Sequence, residues 1–170
     1  MPLSGAMLAV SAYGELTAAL DMGTGRAPQS LSRSVSLGSG TGAGKADRVF
    51  SDRRTLAASG TEDLDLAGVL LDAFGATITF ARVKGLIVAA AAGNTNNVLV
   101  GAASGSPWAT LLNSTGVVTL RPGAFLAVGT GVADPTGYAV TATSADLLKI
   151  ANSAGSTAVT YDIHVIGCSA

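Results

Sequence analysis

The stretch from Ala76 to Ala91, ATITFARVKGLIVAAA, constrains the fold more than any other part of the chain. It is rich in β-branched, aromatic and aliphatic residues and contains few turn-forming residues. Such a composition predicts a long strand that crosses the middle of a β-sheet. The shorter apolar segments that follow are then candidates to pair with it.

The alternation within this stretch changes phase near Phe80. Ile78 and Phe80 share one face of the strand. The later apolar residues Ala81, Val83 and Ile87 have the opposite parity, and the charged residues Arg82 and Lys84 then lie on the other face. Because a strand alternates with a period of two, the phase change requires a bulge or a sharp twist near residues 80–81. A strand bent in this way passes into a second layer or curls a sheet around a core.

The rest of the chain predicts short strands separated by turns rich in Gly, Asn and Pro. The clearest is 157–167, where inward and outward positions alternate: Val159, Tyr161, Ile163 and Val165 against Thr160, Asp162 and His164. In 61–67, Leu64 and Leu66 alternate with Asp63 and Asp65. In the link 68–75, the core candidates are Leu70, Leu71 and Phe74. Strands that recur at about 8–12 residues predict an all-β fold, an antiparallel β-sandwich or jelly roll.

The chain divides into two parts by composition. Residues 30–170 are expected to form the β-sandwich, which begins with a strand of one polar face at Ser30–Leu37. Residues 1–29 are expected to form an N-terminal arm or extension whose structure depends on its neighbours. In the alternative, this part is a terminal strand tucked into the sheet of the domain itself.

The composition argues against several classes of function. Only 12% of the residues are charged, against about 25% in typical domains, and the net charge is −1. A surface of this kind is easily desolvated and suits packing against other protein, but it offers no basic field for nucleic acid. The longest apolar run, 85–92, is too short to cross a bilayer, so no membrane partner is expected. The segment before Arg26 lacks the basic residues of a secretory signal, so assembly in the cytoplasm is expected.

Three motifs allow a chemical interpretation and a structural one. The sequence GSGTGAGKA (38–46) resembles a phosphate-binding loop but has Ser39 and Ala46 where that pattern needs Gly and Ser or Thr, so we predict a flexible loop. Asp63 and Asp65 could bind calcium or act in acid–base catalysis, but a solvated strand face is the preferred interpretation. Asp162 and His164 could form a dyad, but no nucleophile accompanies them.

The remaining reactive residues are few. With one cysteine and one histidine, the chain cannot form an intrachain disulfide or a zinc site with two His ligands. Cys168 has no basic flank, so we expect an unreactive thiol. Trp108 follows a Gly/Ser/Pro loop and is either a core lid or an interface anchor. We expect no catalytic residue, no cofactor and no metal, and we take as candidate interface residues Trp108, Arg82, Lys84 and His164.

Several segments resemble a group of small structural proteins of tailed bacteriophages. They are GAGKADRVFSDRRTLAASGTEDLDLAG (42–68), DAFGATITFARVKGLIV (72–88), NTNNVLVG (94–101), LRPGAFLAV (120–128) and GYAVTATSADLLKIANSAGSTAVTYDIHVIG (137–167). The resemblance covers most of the chain from Gly42 onward. It consists of several separate segments of similar sequence and includes no motif that assigns contact residues.

The resemblance implies a virion component, a capsid decoration or cement protein that binds the major capsid protein. Such proteins are often β-rich, oligomeric and free of catalytic residues, which implies self-association as a homodimer or homotrimer. The alternatives are a tail, collar or fibre-attachment component and, from another class, a carbohydrate-binding or enzymatic jelly roll. The last would need aromatic residues on a concave face, and the chain has only 5% aromatic residues.

Overall fold

The protein is described by a computed structural model that covers residues 3–170. Every regular element in that range is a β-strand, so the all-β prediction is confirmed, and no helix there could span a membrane. The strands in chain order are β1 (Gly5–Leu20), β2 (Gly23–Ser39), β3 (Lys45–Ala46), β4 (Arg48–Leu56), β5 (Thr61–Asp65), β6 (Leu70–Leu71), β7 (Thr77–Ile78), β8 (Arg82–Ala90), β9 (Val98–Gly101), β10 (Val117–Leu120), β11 (Phe125–Gly129), β12 (Tyr138–Ala139), β13 (Leu147–Asn152) and β14 (Val159–Cys168).

Two antiparallel sheets form the body of the molecule. One has the order β11-β8-β14-β4, with β12 also paired to β8, and the other has the order β10-β9-β13-β5. Connections such as β4 to β5 and β13 to β14 pass from one sheet to the other, and the strands they join occupy matching positions in the two orders. The result is a sandwich-like arrangement with one shared interior.

The core between the two sheets is continuous and mostly aliphatic. Buried side chains from both sheets form one cluster, whose most deeply buried members include Leu64, Leu86, Ile150, Tyr161 and Ile163. The inward positions predicted for the last strand are all buried, and its outward positions are half-buried. The alternation of Leu64 and Leu66 with the two aspartates is confirmed as well, because both leucines are buried.

The predicted long strand is divided into β7 and β8. Between them the backbone N–H of Phe80 donates to Leu66 O at 2.9 Å, and the N–H of Ala81 donates to Cys168 O at 2.7 Å. Leu66 follows β5 of one sheet and Cys168 ends β14 of the other, so the predicted bend marks a passage between layers. The parity of the buried positions changes in this passage, from Ile78 and Phe80 to Val83, and it changes back farther along, at Lys84.

A bulge places Lys84 out of register. Ile166 pairs with Gly85 and Gly167 pairs with Val83, so Lys84 has no counterpart on β14. Alternation restarts after the bulge, and Leu86 and Val88 point into the core. The prediction that Ile87 shares the inward face of Val83 is therefore wrong: Ile87 is half-buried on the outer face.

The link between β5 and β8 corrects two core predictions. Leu70 is buried as expected, but Leu71 and Phe74 are exposed. They belong to β6 and the turn that connects it to β7, a small two-stranded sheet beside the main body. Asp72 closes that turn, because its Oδ1 accepts hydrogen bonds from the N–H groups of Phe74 and Ala76, both at 2.9 Å.

The N-terminal strands form a long hairpin. Strands β1 and β2 pair antiparallel from Gly5–Gly38 to Leu20–Gly23 around a two-residue turn, Asp21–Met22. Strand β2 runs through residues 29 and 30, where the sequence suggests a boundary between arm and sandwich, and residues 1 and 2 of that expected arm lie outside the described range. The hairpin joins the body through β3, which pairs parallel with the end of β2.

Candidate functional site

The hairpin has one apolar and one polar face, which is the most distinctive surface feature of the molecule. Residues paired across β1 and β2 share a face, so the register divides their side chains into two sets. The apolar set contains Ala6, Leu8, Val10, Ala12, Leu16, Ala18, Leu20, Ala27, Leu31, Val35 and Leu37, with Gly14, Gly23, Gly25, Gln29 and Arg33 between them. The other set is rich in Ser and Thr and also contains Met7, Tyr13 and the pair Glu15–Arg26.

The base of the apolar face packs on the body. Leu8 and Leu37 are buried, and Leu37 joins a second, smaller core with Ala46 and Ile166. Leu8 lies over Gly129 of β11, where a Cβ would fall 2.5 Å from Leu8 Cδ2. The absence of a side chain at Gly129 therefore allows the hairpin to approach the sheet closely.

Beyond its base the apolar face is uncovered. Leu16 is 67% exposed, Leu31 is 56% exposed and Met22 at the tip is 100% exposed. Contiguous exposed apolar surface of this kind marks an interaction site in a folded protein. The hairpin is thus the strongest candidate for a functional surface.

A crevice lies where the hairpin leaves the body. It has a volume of about 350 Å³ between the hairpin and β11 and is lined by Leu8, Val10, Arg33, Ser34, Val35, Ala127, Gly129, Thr130 and Gly131. Its walls are mostly aliphatic carbon and backbone. It continues directly into the uncovered part of the apolar face, since Val10 and Arg33 belong to both.

Trp108, one of the predicted interface residues, is a core residue. Its side chain is buried, its Nε1 donates to Ala139 O at 2.8 Å, and its ring meets Tyr138 edge-on with centroids 6.3 Å apart. Of the two roles that the sequence leaves open for this indole, the structure favours the core lid.

Lys84 is also enclosed by its own chain. Its side chain is 0% exposed, and Nζ donates to Gly42 O at 2.7 Å and to Asp134 O at 3.4 Å. The bulge in β8 turns this side chain toward two loops that are far apart in the sequence. The lysine thereby links the Gly-rich loop 38–46 to the loop 130–137.

Backbone N–H groups of the Gly-rich loop form hydrogen bonds within the loop itself. The N–H groups of Gly38 and Gly40 donate to the carbonyls of Gly44 and Ala46, at 2.9 and 3.1 Å. A phosphate-binding loop presents such N–H groups to its ligand. The two N–H groups are therefore not free for a phosphate, and the short strand β3 takes up the end of the segment for which the sequence predicts a flexible loop.

Arg82 and His164 are half-buried, whereas the other two candidates are buried. Arg82 donates to Pro135 O at 2.6 Å, and His164 points outward from β14 between Ser51 and Ile87 of the neighbouring strands. Burial lowers the pKa of His164 below its ordinary value. Because Trp108 and Lys84 are internal, the four candidates do not form one exposed surface.

The titratable groups weighed as chemical candidates have structural partners. Asp162 accepts a bidentate pair of hydrogen bonds from Arg53, at 2.6 and 2.9 Å, and this hydrogen bonding lowers the pKa of Asp162. Asp65 accepts the N–H of Ala67 at 2.8 Å. Burial raises the pKa of the Cys168 thiol, which favours its protonated, less nucleophilic form.

A polar network closes the edge formed by β4 and β5. The hydroxyl of Tyr161 donates to Glu62 Oε1 at 2.6 Å, and Arg54 donates to Glu62 Oε2 at 2.6 Å. Burial and the hydrogen bond to Glu62 raise the pKa of Tyr161. Because Glu62 lies on β5 and the other two on β14 and β4, the network ties the two sheets together.

Within residues 3–170 no three His, Cys, Asp or Glu side chains come close enough together to hold a metal ion. Comparisons of the chain with protein-family models, with curated proteins and with solved structures gave no match.

Proposed function

We propose that this chain is a virion structural protein of a tailed bacteriophage, a decoration or cement protein that binds the lattice of the major capsid protein and stabilises the head. The observation that carries the proposal is the hairpin, whose apolar face is fixed to the body at its base and uncovered over the rest of its length. The core of the body is already complete, so this face is surplus to folding and available for other protein, either the shell or a further copy of this chain assembled on the shell.

The composition supports the same role. A chain with 12% charged residues presents little charge to be desolvated when it packs against a shell. Binding to a repetitive lattice multiplies weak contacts by avidity, which suits a small protein with a narrow contact surface. The resemblance to small virion proteins supplies the tailed-phage context, and the protein would then be assembled into virions in the host cytoplasm.

The fold in this proposal is a jelly roll that carries the hairpin as an N-terminal arm. Support comes from the strand orders β4-β14-β8-β11 and β5-β13-β9-β10, in which each strand faces the partner to which a connection joins it. Two interleaved Greek keys produce this arrangement, and jelly rolls are common among viral capsid components. The arm would extend to Ser39, the end of β2.

Immunogold labelling of gradient-purified particles tests the proposal. The particles are taken from the phage or prophage whose genome encodes the chain, and the antibody is raised against the folded protein. We expect label over the whole surface of the head. Mass spectrometry of the same particles gives the copy number, which for a lattice-bound protein matches the number of capsid positions of one type.

The other outcomes separate the alternatives. Label confined to the neck or tail would replace the capsid role with that of a tail, collar or fibre-attachment component. Particles that lack the protein altogether would refute a virion role. Specific binding on a glycan array by a protein absent from particles would favour the carbohydrate-binding alternative.

A further inference from the structure

The uncovered part of the apolar face is long and narrow. It runs from the Val10–Arg33 pair to the Leu20–Gly23 pair, roughly 35 Å at about 3.4 Å per residue. An isolated two-stranded hairpin is only marginally stable in water. Over this length the hairpin has no third strand or layer to support it within residues 3–170, so it requires a covering partner.

Large and small residues alternate on this face. Leu16 is paired with Ala27, Leu31 with Ala12, and Leu20 with Gly23. Near the middle, Gly14 leaves a gap where an added Cβ would meet no atom within 4 Å. The neighbouring knob on the same strand is Leu16, two residues away. A face with adjacent knobs and gaps can interdigitate with an identical face.

The charge distribution restricts the occupant. Glu15 and Arg26 lie on the opposite face, where they pair at 3.5 Å, and Arg33 at the base is the only charged residue of the apolar set. Gln29 is the one uncharged polar side chain there. An occupant must therefore be apolar and nearly uncharged along its length, which excludes nucleic acid and a charged lipid surface. The same face of a second copy meets this requirement.

We propose that the hairpins of two copies of this chain pack face to face and antiparallel about a twofold axis. The axis passes between Gly14 and Leu16, at the centre of the uncovered segment, so that Leu16 of each copy fills the gap at Gly14 of the other. The tip of each hairpin, with Leu20 and Met22, then reaches the crevice at the base of the partner. Self-association is implied also by the phage resemblance, but this interface stands on the hairpin geometry alone.

Continuity supports the arrangement. At the base the same face already packs against Gly129 and Ile166 of the body, so the intrachain interface extends without interruption into the proposed one. Two faces about 35 Å long and only two strands wide bury less area than a standard-size complex does, as is typical of weak, transient interfaces. We therefore expect a dimer that dissociates on dilution rather than an obligate one.

Sedimentation velocity of the full chain over a wide concentration range tests the proposal. We expect the wild type to shift from monomer to dimer as its concentration rises. Gly14→Val fills the central gap at a position where an added Cβ meets no atom within 4 Å, so it should raise the dimer dissociation constant at least tenfold. Leu16→Ser should do the same by removing the knob.

Ser11→Val is the matched control, because it places the same valine side chain on the polar face of the same strand. It should leave the dissociation constant within twofold of the wild type. Circular dichroism and thermal unfolding of each variant establish that the monomer remains folded. Because Gly14→Val favours a strand conformation, loss of the dimer by this variant cannot come from loss of the hairpin.

Three results would overturn the proposal: a wild type that remains monomeric at all concentrations, a dimer that Gly14→Val and Leu16→Ser leave unchanged, and a dimer that Ser11→Val weakens equally. Labelling of particles is measured on a separate sample. A monomeric protein that still decorates particles would refute the hairpin interface alone, and a dimer absent from particles would refute the proposed function alone.

Discussion

Leu8 of the hairpin and Gly129 of β11 are complementary in shape. A Cβ at Gly129 would lie 2.5 Å from Leu8 Cδ2 and 3.8 Å from Val35 Cγ1, so the two hairpin side chains occupy the space that glycine leaves free. This contact, together with the burial of Leu37, fixes the direction in which the hairpin leaves the body. The hairpin that carries the uncovered face is therefore anchored to the body at its base.

Gly129→Val should loosen the base of the hairpin. The added side chain displaces Leu8, which exposes apolar surface at the base and weakens the docking of β1 and β2. Hydrogen exchange should accelerate in residues 6–12 and 31–37 while the core strands keep their protection. Gly131→Val is the control, because a Cβ at Gly131 meets no atom within 4 Å. Equal exchange in both variants would contradict the assigned role of Gly129.

Tyr161→Phe should destabilise the fold by about 1–3 kcal/mol, since it removes the buried hydroxyl that donates to Glu62. Urea unfolding measures the change. Tyr138→Phe is the matched control, because no hydrogen bond joins the Tyr138 hydroxyl to residues 3–170. A loss no greater than that of the control would show that the network between the sheets contributes little.

Trp108 should report the core in fluorescence. Because this is the only tryptophan and it is buried against Tyr138, its emission should be blue-shifted and poorly quenched by acrylamide in the isolated protein. Neither property should change when the protein assembles with itself or with particles. A marked change on assembly would indicate that Trp108 lies at an interface rather than in the core.

Stability should fall as the pH is lowered from about 6.5, because of His164. Burial lowers the pKa of this imidazole below its ordinary 6.5 in the folded protein, so the unfolded chain binds the proton more readily. The free energy of unfolding therefore decreases between pH 6.5 and the folded pKa and levels off below it. His164→Gln should remove the slope in this window. Asp162 does not interfere, since its lowered pKa lies below 3.8.

Lys84→Ala should destabilise the protein by roughly 2–4 kcal/mol, because it removes a buried stem and leaves the carbonyls of Gly42 and Asp134 without their donor. Lys84→Met keeps the stem and should cost less. In both variants, hydrogen exchange should accelerate in loops 38–46 and 130–137. Lys149→Ala, on β13, is the control and should leave both loops unchanged.

The strands with strong local alternation could be predicted from the sequence. The segment 157–167 carries branched and aromatic residues at every second position, so its inward face follows from period alone. The bend after Phe80 could also be predicted from the sequence, because the apolar positions change parity there. In both cases the information lies within about ten residues of the chain.

Lys84 could not be placed from the sequence. Its parity puts it on the face opposite Val83, which predicts exposure for a lysine. The bulge that buries it depends on where β14 pairs with β8, and the oxygens that receive it come from Gly42 and Asp134. Such a residue is decided by contacts between distant segments.

The sequence predicts the hairpin only in part, for a similar reason. Its second strand is apparent from the serines that alternate with Leu31, Val35 and Leu37. The first strand contains GELTAAL, whose residues also favour a helix, and alternation there is weak. Its strand conformation is fixed by pairing with β2 along its whole length. The signal that points to the pairing is the short Asp21–Met22 turn followed by Gly23.

Strand β14 lies between β8 and β4, inside its sheet, although it follows both of them by about 70 residues or more in the chain. While residues 159–168 are still within the ribosome, β8 and β4 have no neighbour between them, and their unpaired edges stay accessible to other nascent chains. The sheet can therefore close only after residue 168 has emerged, and slow emergence of β14 prolongs the period in which the incomplete body is prone to aggregate.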